Sequence, residues 1–308
     1  MKKTLTLLLC FLALASHSQK TKSELALNLK LGKTYYHSST AKVTLNQKMK
    51  DLELNSYVTA KGKMSFKVLA ITDSTFDLEA RYLSISMVQR IQDKLTSVNT
   101  DDKDTSDAMT RIMKKMINRP FNVIMLKTGK VKSIKNIDAL YSKVFDGFPQ
   151  LSEQQKADAL ERIKQAYGEK AFINSIEQIT NIFPLKQVAV ADKWKITTYL
   201  ESGGFKFNVE TTYSLAKLTG DYAIISGNAT VKTVDNDTYT MSKGLPIKFD
   251  LSGTVKSTIK VHASTGWIDE SNTTMELTGN GEVKDNPKTP GGLTIPMVMT
   301  TETKVEGK

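Results

Sequence analysis

The stretch that most limits what this chain can become runs from Ile247 to Val283, IKFDLSGTVKSTIKVHASTGWIDESNTTMELTGNGEV. Phe249, Leu251, Val255, Ile259 and Val261 fall on alternate positions, with Gly253 and Ser257 completing that side, while Asp250, Lys256 and Lys260 fall on the other. Successive side chains of a strand point to opposite faces, so a period of two describes a strand with one buried and one wet face. The run breaks at Ser264-Thr265-Gly266 and resumes from Trp267 to Thr278, which predicts a long antiparallel hairpin turned by a glycine-containing loop. A large one-faced sheet follows.

The same alternation recurs along the chain. Leu25, Leu27, Leu29 and Leu31 read as a first strand stopped by Gly32, and two strands of weaker amplitude fall between Thr40 and Ala60. Met64, Phe66 and Val68 pair with Phe76, Leu78, Ala80 and Tyr82 across a turn at Asp73-Ser74. Beyond Tyr82 the apolar phase moves to Leu83, Ile85 and Met87; one inserted residue exchanges the faces of a strand, so a β-bulge is expected there. Phe121 to Ser133 gives another hairpin, and after Val188 strands and turns return. The turn Leu126-Lys127-Thr128-Gly129-Lys130-Val131 resembles Ala263-Ser264-Thr265-Gly266-Trp267-Ile268. That suits either two related β halves, residues 19–135 and 188–308, flanking a helical segment 136–183, or ordinary turns within one β-rich domain spanning 19–308.

In the middle of the chain the apolar spacing changes to three and four. Ala108, Ile112, Met113, Met116 and Ile117 follow Ser106 and Asp107 as candidate N-caps; Ile137, Leu140, Tyr141, Val144 and Phe145 stop at Gly147. Ser152 and Gln155 form a capping box before Leu160, Ile163 and Ala166, and Phe172, Ile176 and Ile179 precede Pro184. The expected fold is mainly β (α+β): a large curved antiparallel sheet, or two, with an inserted block of about four helices packing on one face. Such an arrangement is similar to the half-barrel of periplasmic lipoprotein carriers, an analogy of fold.

Lys2 and Lys3, the apolar run Leu5 to Ala15 and the small residues around Ser16-His17-Ser18 read as a cleaved signal peptide, residues 1–18, which implies export to the periplasm, envelope or exterior. The apolar run is about half of the roughly 20 residues a membrane-crossing helix needs, and no second one follows. The one cysteine, Cys10, lies inside that run, so the mature chain has no disulfide and no lipid-modified cysteine is expected. A net charge of +11 favours anionic partners. The lysines nevertheless stand singly at outward positions such as Lys206, Lys256 and Lys260, where they keep sheet surfaces soluble, and no nucleic-acid partner is expected.

Chemistry is sparse. His37 and His262, the histidines outside the signal, cannot furnish a zinc site without cysteines, and Asn99 to Asp107 lacks the glycine turn and distal glutamate of a calcium loop. There is no Gly-x-Ser-x-Gly elbow, catalytic cysteine or glycine-rich phosphate loop. No metal or cofactor is therefore expected, and the chain reads as non-enzymatic; a carboxylate-dependent hydrolase ranks last, since the separation of its two acids is a property of the fold. The apolar helix faces remain. Met109, Ile112, Met113, Met116, Leu140, Tyr141, Phe172 and Ile176 are the candidate lining of a space between helices and sheet, with methionine suited to varied shapes. The expected partner is an apolar or amphiphilic ligand; the alternative is a structural or interaction module of the envelope with a filled core. Asp73-Ser74-Thr75 resembles the short acceptor for protein O-glycosylation in the Bacteroidetes, which makes Ser74 a candidate.

Four segments behind a signal ending before Gln19 belong together: LNLKLGKTYY (Leu27 to Tyr36), MSFKVLAI (Met64 to Ile71), PLKQVAVADKW (Pro184 to Trp194) and the turn Thr265-Gly266-Trp267. They resemble the uncharacterised secreted proteins of Bacteroidetes called domain of unknown function 6263. That family prefers Gly-Asp ahead of the tryptophan, where this chain has Ala191 before Asp192. The resemblance brings no established activity, so no functional residue carries over.

Overall fold

The structure, a computed structural model, describes residues 22–49, 52–103, 106–202, 205–234, 237–242 and 244–308; the expected signal peptide lies outside them. The strands are β1 (Thr34–Met49), β2 (Leu52–Ile71), β3 (Thr75–Ile91), β4 (Lys94–Asn99), β5 (Phe121–Leu126), β6 (Val131–Lys135), β7 (Lys193–Ser202), β8 (Phe205–Leu218), β9 (Tyr222–Thr233), β10 (Thr240–Ser242), β11 (Leu245–His262), β12 (Ile268–Val283) and β13 (Leu293–Gly307). They form one 13-stranded sheet in the order β6-β5-β3-β2-β1-β13-β12-β11-β9-β8-β7, with β4 added to β3 and β10 to β11. Every pairing is antiparallel. The hairpin expected over Ile247 to Val283 is β11 and β12, in register from Ile247 opposite Val283 to Lys260 opposite Glu270, with a β-bulge before Val261 opposite Ile268. The bulge expected near Tyr82 is present: Met64 pairs with Tyr82 but Lys63 with Ser84.

Three α-helices follow from the middle segment: α1 (Ala108–Lys114), α2 (Glu153–Tyr167) and α3 (Glu169–Thr180). Only α2 and α3 are longer than two turns, so the expectation of about four helices is corrected. Ile137–Leu140 is a 3-10 turn, and the residues after it continue as separate turns with Tyr141 N–H donating to Asp138, Val144 to Tyr141 and Phe148 to Phe145. Bonds of this type place side chains three apart on one side, so the apolar spacing that suggests a helix suits these turns as well. The capping box of α2 forms as expected, Ser152 Oγ accepting from Gln155 N and Gln155 Oε1 from Ser152 N.

Helix α3 fixes the curvature. Laid flat, the eleven strands of the main path would span about 48 Å at roughly 4.8 Å per neighbour. Yet α3, 12 residues long and therefore about 18 Å, touches both ends of that path. Glu177 Oε1 accepts from Val131 N at 2.7 Å and Thr180 Oγ1 donates to Gly129 O at 2.6 Å, both at the β5–β6 end. Asn174 Nδ2 donates to Glu201 O at 2.7 Å, and Lys170 lies 3.3 Å from the Glu201 carboxylate on β7. The open sheet must curl until a single helix fills the gap between its edges.

The expected first strand at Leu25 to Leu31 is also corrected. Leu25, Leu27 and Leu29 are buried, as their alternation implies, but the segment crosses the ends of strands instead of lying beside one. Leu27 N–H donates to Lys127 O and Asn28 N–H to Thr265 O, one in each of the two similar turns. Both turns need their glycine. A Cβ on Gly129, at φ +87°, would lie 1.7 Å from Thr180 O, and one on Gly266, at φ +66°, 2.3 Å from Ala26 O.

Candidate functional site

The eight side chains expected to line a helix–sheet space do converge. Ile112, Met113, Met116, Leu140, Tyr141, Phe172 and Ile176 are buried in one continuous apolar cluster, and Met109 packs against it half-buried. Phe172 sits edge-on to Phe121, centroids 5.1 Å apart, and 6.4 Å from Phe66. The Tyr141 hydroxyl donates to Tyr167 O at 2.9 Å, and burial first, then the Asp138 charge, pushes that phenol up to about 12. Burial likewise pushes up the Tyr82 and Tyr167 phenols, whose rings meet edge to face. Between helices and sheet these side chains fill the space with one another. Ser74 is exposed in the β2–β3 turn, its N–H donating to Thr72 Oγ1 and its carbonyl accepting from Lys127 N.

Beyond the helices the inner face continues across the sheet. Register assigns its rows. One row runs Gln89, Val58, Val43, Thr301, Met275, Val255, Ala229, Thr211, Ile196 across nine strands. The adjacent row includes Met87, Ala60, Ala41, Thr303, Thr273 and Ser257. Further along lies a second apolar cluster that includes Phe207, Val231, Leu251, Leu277 and Met297, with Leu45, Val255, Met275 and Met299 packed against it. Val43, Val58, Met87, Val255, Met275, Thr301 and Thr303, between the two clusters, are half-buried. They form a belt of methyl, thioether and hydroxyl groups with part of its surface open.

Charge is partitioned between the two faces. Among the described residues, the inner face of β1, β2, β3, β7, β8, β9, β11, β12 and β13 carries no Asp, Glu, Lys or Arg; Lys94 on the short β4 shares that side at its rim. The charges of these strands stand outward, often paired: Lys195 with Glu210 at 2.7 Å, Lys260 with Asp269 at 2.7 Å, Lys304 with Glu306 at 2.7 Å.

Among the described residues, two side-chain polar atoms on the inner face are sealed from water without a hydrogen-bond partner, His37 Nδ1 and Thr301 Oγ1. The His37 ring stacks on Phe66, centroids 5.6 Å apart and 18° from parallel, at the border of the helix-covered cluster. Burial pulls its pKa down to about 4, so the ring is neutral at physiological pH even though part of the residue keeps some surface. Neither residue stands out in the sequence as a site. The period of two that places Tyr35 on the inner face is the one signal that places His37 there too.

On the outer face Tyr239 lies between Lys248 and Lys284, 5.1 and 5.7 Å from its ring centroid, and its hydroxyl bonds Glu282. Two hollows of about 220 and 200 Å³ open beside it, sharing Glu282 and Thr294. Hydrogen bonds from Tyr239 and Lys248 hold the Glu282 carboxyl below the usual range, which suits a fixed anion and not a proton donor. Among the described residues no group of three or more His, Cys, Asp or Glu is placed to hold a metal ion, and no helix is long and apolar enough to cross a membrane.

No curated protein matches the chain in sequence. Among solved structures, lipovitellin is similar at 10% identity and a TM-score of 0.47, over 91% of this chain and 25% of that one, so the chain spans a quarter of its length. OccK5 (OpdH) of Pseudomonas aeruginosa aligns at 6% identity and TM-score 0.25, covering 90% of this chain and 99% of its own. An outer membrane channel from Pseudomonas putida F1 aligns at 7% and 0.20, covering 91% and 97%. The sequence of residues 73–268, from the β2–β3 turn to the start of β12, matches the family of unknown function DUF6263, and the chain belongs to that family.

Proposed function

We propose that this protein is a non-enzymatic, exported protein of the periplasm or envelope that holds an apolar or amphiphilic ligand on the inner face of its sheet. The observation that carries the reading is the charge-free, half-open belt around Val43, Val255, Met275 and Thr301, set between two apolar clusters. Soluble domains fill such a surface or keep it for a ligand or partner. Here α3 covers one end of the curl and leaves this belt with partial exposure. The ligand then lies beyond the helices, along the sheet, because Phe66, Phe121 and Phe172 already occupy the space beneath them.

A second reading has its own support. The filled helix–sheet core is what a structural or interaction module of the envelope would have, and the ring of Tyr239 and its lysines offers such a module a polar outer contact. Native mass spectrometry of the protein purified from cells without detergent, followed by organic extraction, separates the two. A stoichiometric lipid or other amphiphile supports the ligand-binding reading. A bare mass that stays unchanged after exposure to envelope lipids refutes it and leaves the module.

A further inference from the structure

Resting on that reading, the inner face also specifies the kind of ligand. A carboxylate or phosphate drawn onto the belt would meet no cation from the nine strands that build it, and an ammonium would meet no carboxylate from them, Lys94 of β4 standing outside the belt at the rim. Taking such a head group out of water without a counter-charge is strongly unfavourable. The face is not purely hydrocarbon either. Thr301, Thr303, Thr273 and Ser257 place hydroxyls in adjacent positions on β13, β12 and β11. Thr301 Oγ1 lacks a partner although it is sealed from water, a condition native proteins seldom leave uncorrected.

A threonine hydroxyl both donates and accepts, so it matches an alcohol, ester or amide equally. Thr301 stands in the middle of the row Val58, Val43, Thr301, Met275, Val255, one residue from each of five neighbouring strands. Four strand spacings of roughly 4.8 Å make this row about 19 Å long, against about 15 Å for the chains of one lipid leaflet, half of the roughly 30 Å hydrocarbon core. One extended chain therefore fits along the row.

We propose that the belt binds an uncharged lipid, a single long acyl or alkyl chain whose methylenes lie on Val43, Met275 and Val255 and whose hydroxyl, ester or amide parts the side chains closed over Thr301 Oγ1 to hydrogen-bond it. The test is calorimetric titration of the full chain, freed of bound lipid, with three probes of equal chain length: monopalmitoylglycerol, palmitate and hexadecyltrimethylammonium, each below its micelle concentration. Monopalmitoylglycerol should bind at least tenfold more tightly than either ion. Thr301→Val, which keeps the shape and removes an unpartnered oxygen, should fold normally and weaken that binding about fivefold. Val255→Lys, at a half-buried position, should transfer the preference to palmitate. Equal affinity for palmitate and monopalmitoylglycerol overturns the uncharged-lipid assignment and leaves the amphiphile reading standing. Failure of all three probes to bind overturns both. An unchanged affinity in folded Thr301→Val removes Thr301 from the site.

Discussion

His37 makes stability depend on pH in a way that can be worked out in advance. Its ring is held neutral by burial, with a pKa of about 4 in the folded protein against 6.5 for the free side chain. The unfolded chain therefore binds more protons between those values, and stability must fall as pH drops through 6.5 toward 4. Each pH unit over which the two states differ by a whole proton is worth about 1.36 kcal/mol, and for this pair of constants the loss between pH 7 and pH 5 comes to about 2 kcal/mol. Replacing His37 by Phe keeps a flat ring against Phe66, abolishes the titration and removes the unpartnered Nδ1, whose burial costs about 1–3 kcal/mol. His37→Phe should thus be more stable at every pH, with its advantage growing by about 2 kcal/mol from pH 7 to pH 5. Urea unfolding at the two pH values measures both numbers. Parallel losses in the two proteins would show that His37 is solvated and that the inner face is wet at this point.

Two further outcomes are expected. Ala191 has φ +73°; a left-handed non-glycine residue costs roughly 1–2 kcal/mol, partly offset by glycine's looser unfolded state. Ala191→Gly should therefore raise stability by about 0.5–1 kcal/mol, or Tm by a few degrees, and a lower Tm would contradict the assigned backbone. If Ser74 carries a glycan, the intact mass of the protein from its native host will exceed the sequence mass and Ser74→Ala will remove the excess; equal mass offsets in the two proteins would exclude this serine.

The parts of the fold legible from sequence are those set by local alternation. Phe249 to Val261 gives the strand, its face and its hairpin, and the phase change after Tyr82 gives the bulge, because each face exchange leaves a trace in the apolar pattern. Leu25 to Leu29 alternate as a strand does, yet their backbone bonds go to two turns, and a pattern of burial does not say which groups accept the N–H bonds. Ile137 to Phe145 shows the converse limit: spacing of three and four suits consecutive turns as well as a helix. The candidate site was hidden for a different reason. Val43, Thr301 and Val255 are separated by up to 258 positions in the chain, and only the pairing of β1 with β13 makes them neighbours.

Whether the absence of charge on the belt serves the fold or a ligand is open to a direct test. A fully buried position excludes lysine on energetic grounds alone, so Leu277 or Phe66 says nothing about function. Val43 is different: it is half-buried, and a lysine there can lay its methylenes along the sheet and carry the ammonium to water. If folding alone shaped the face, such positions would be free to hold lysine, as outward neighbours Lys42 and Lys48 on the same strand do. Val43→Lys is therefore expected to cost no more than about 1 kcal/mol in urea unfolding, a little above the range for open surface sites, while abolishing binding of monopalmitoylglycerol. A loss of about 3 kcal/mol or more on this scale would mean that the belt is closed core, and its lack of charge would then be explained by burial without any ligand.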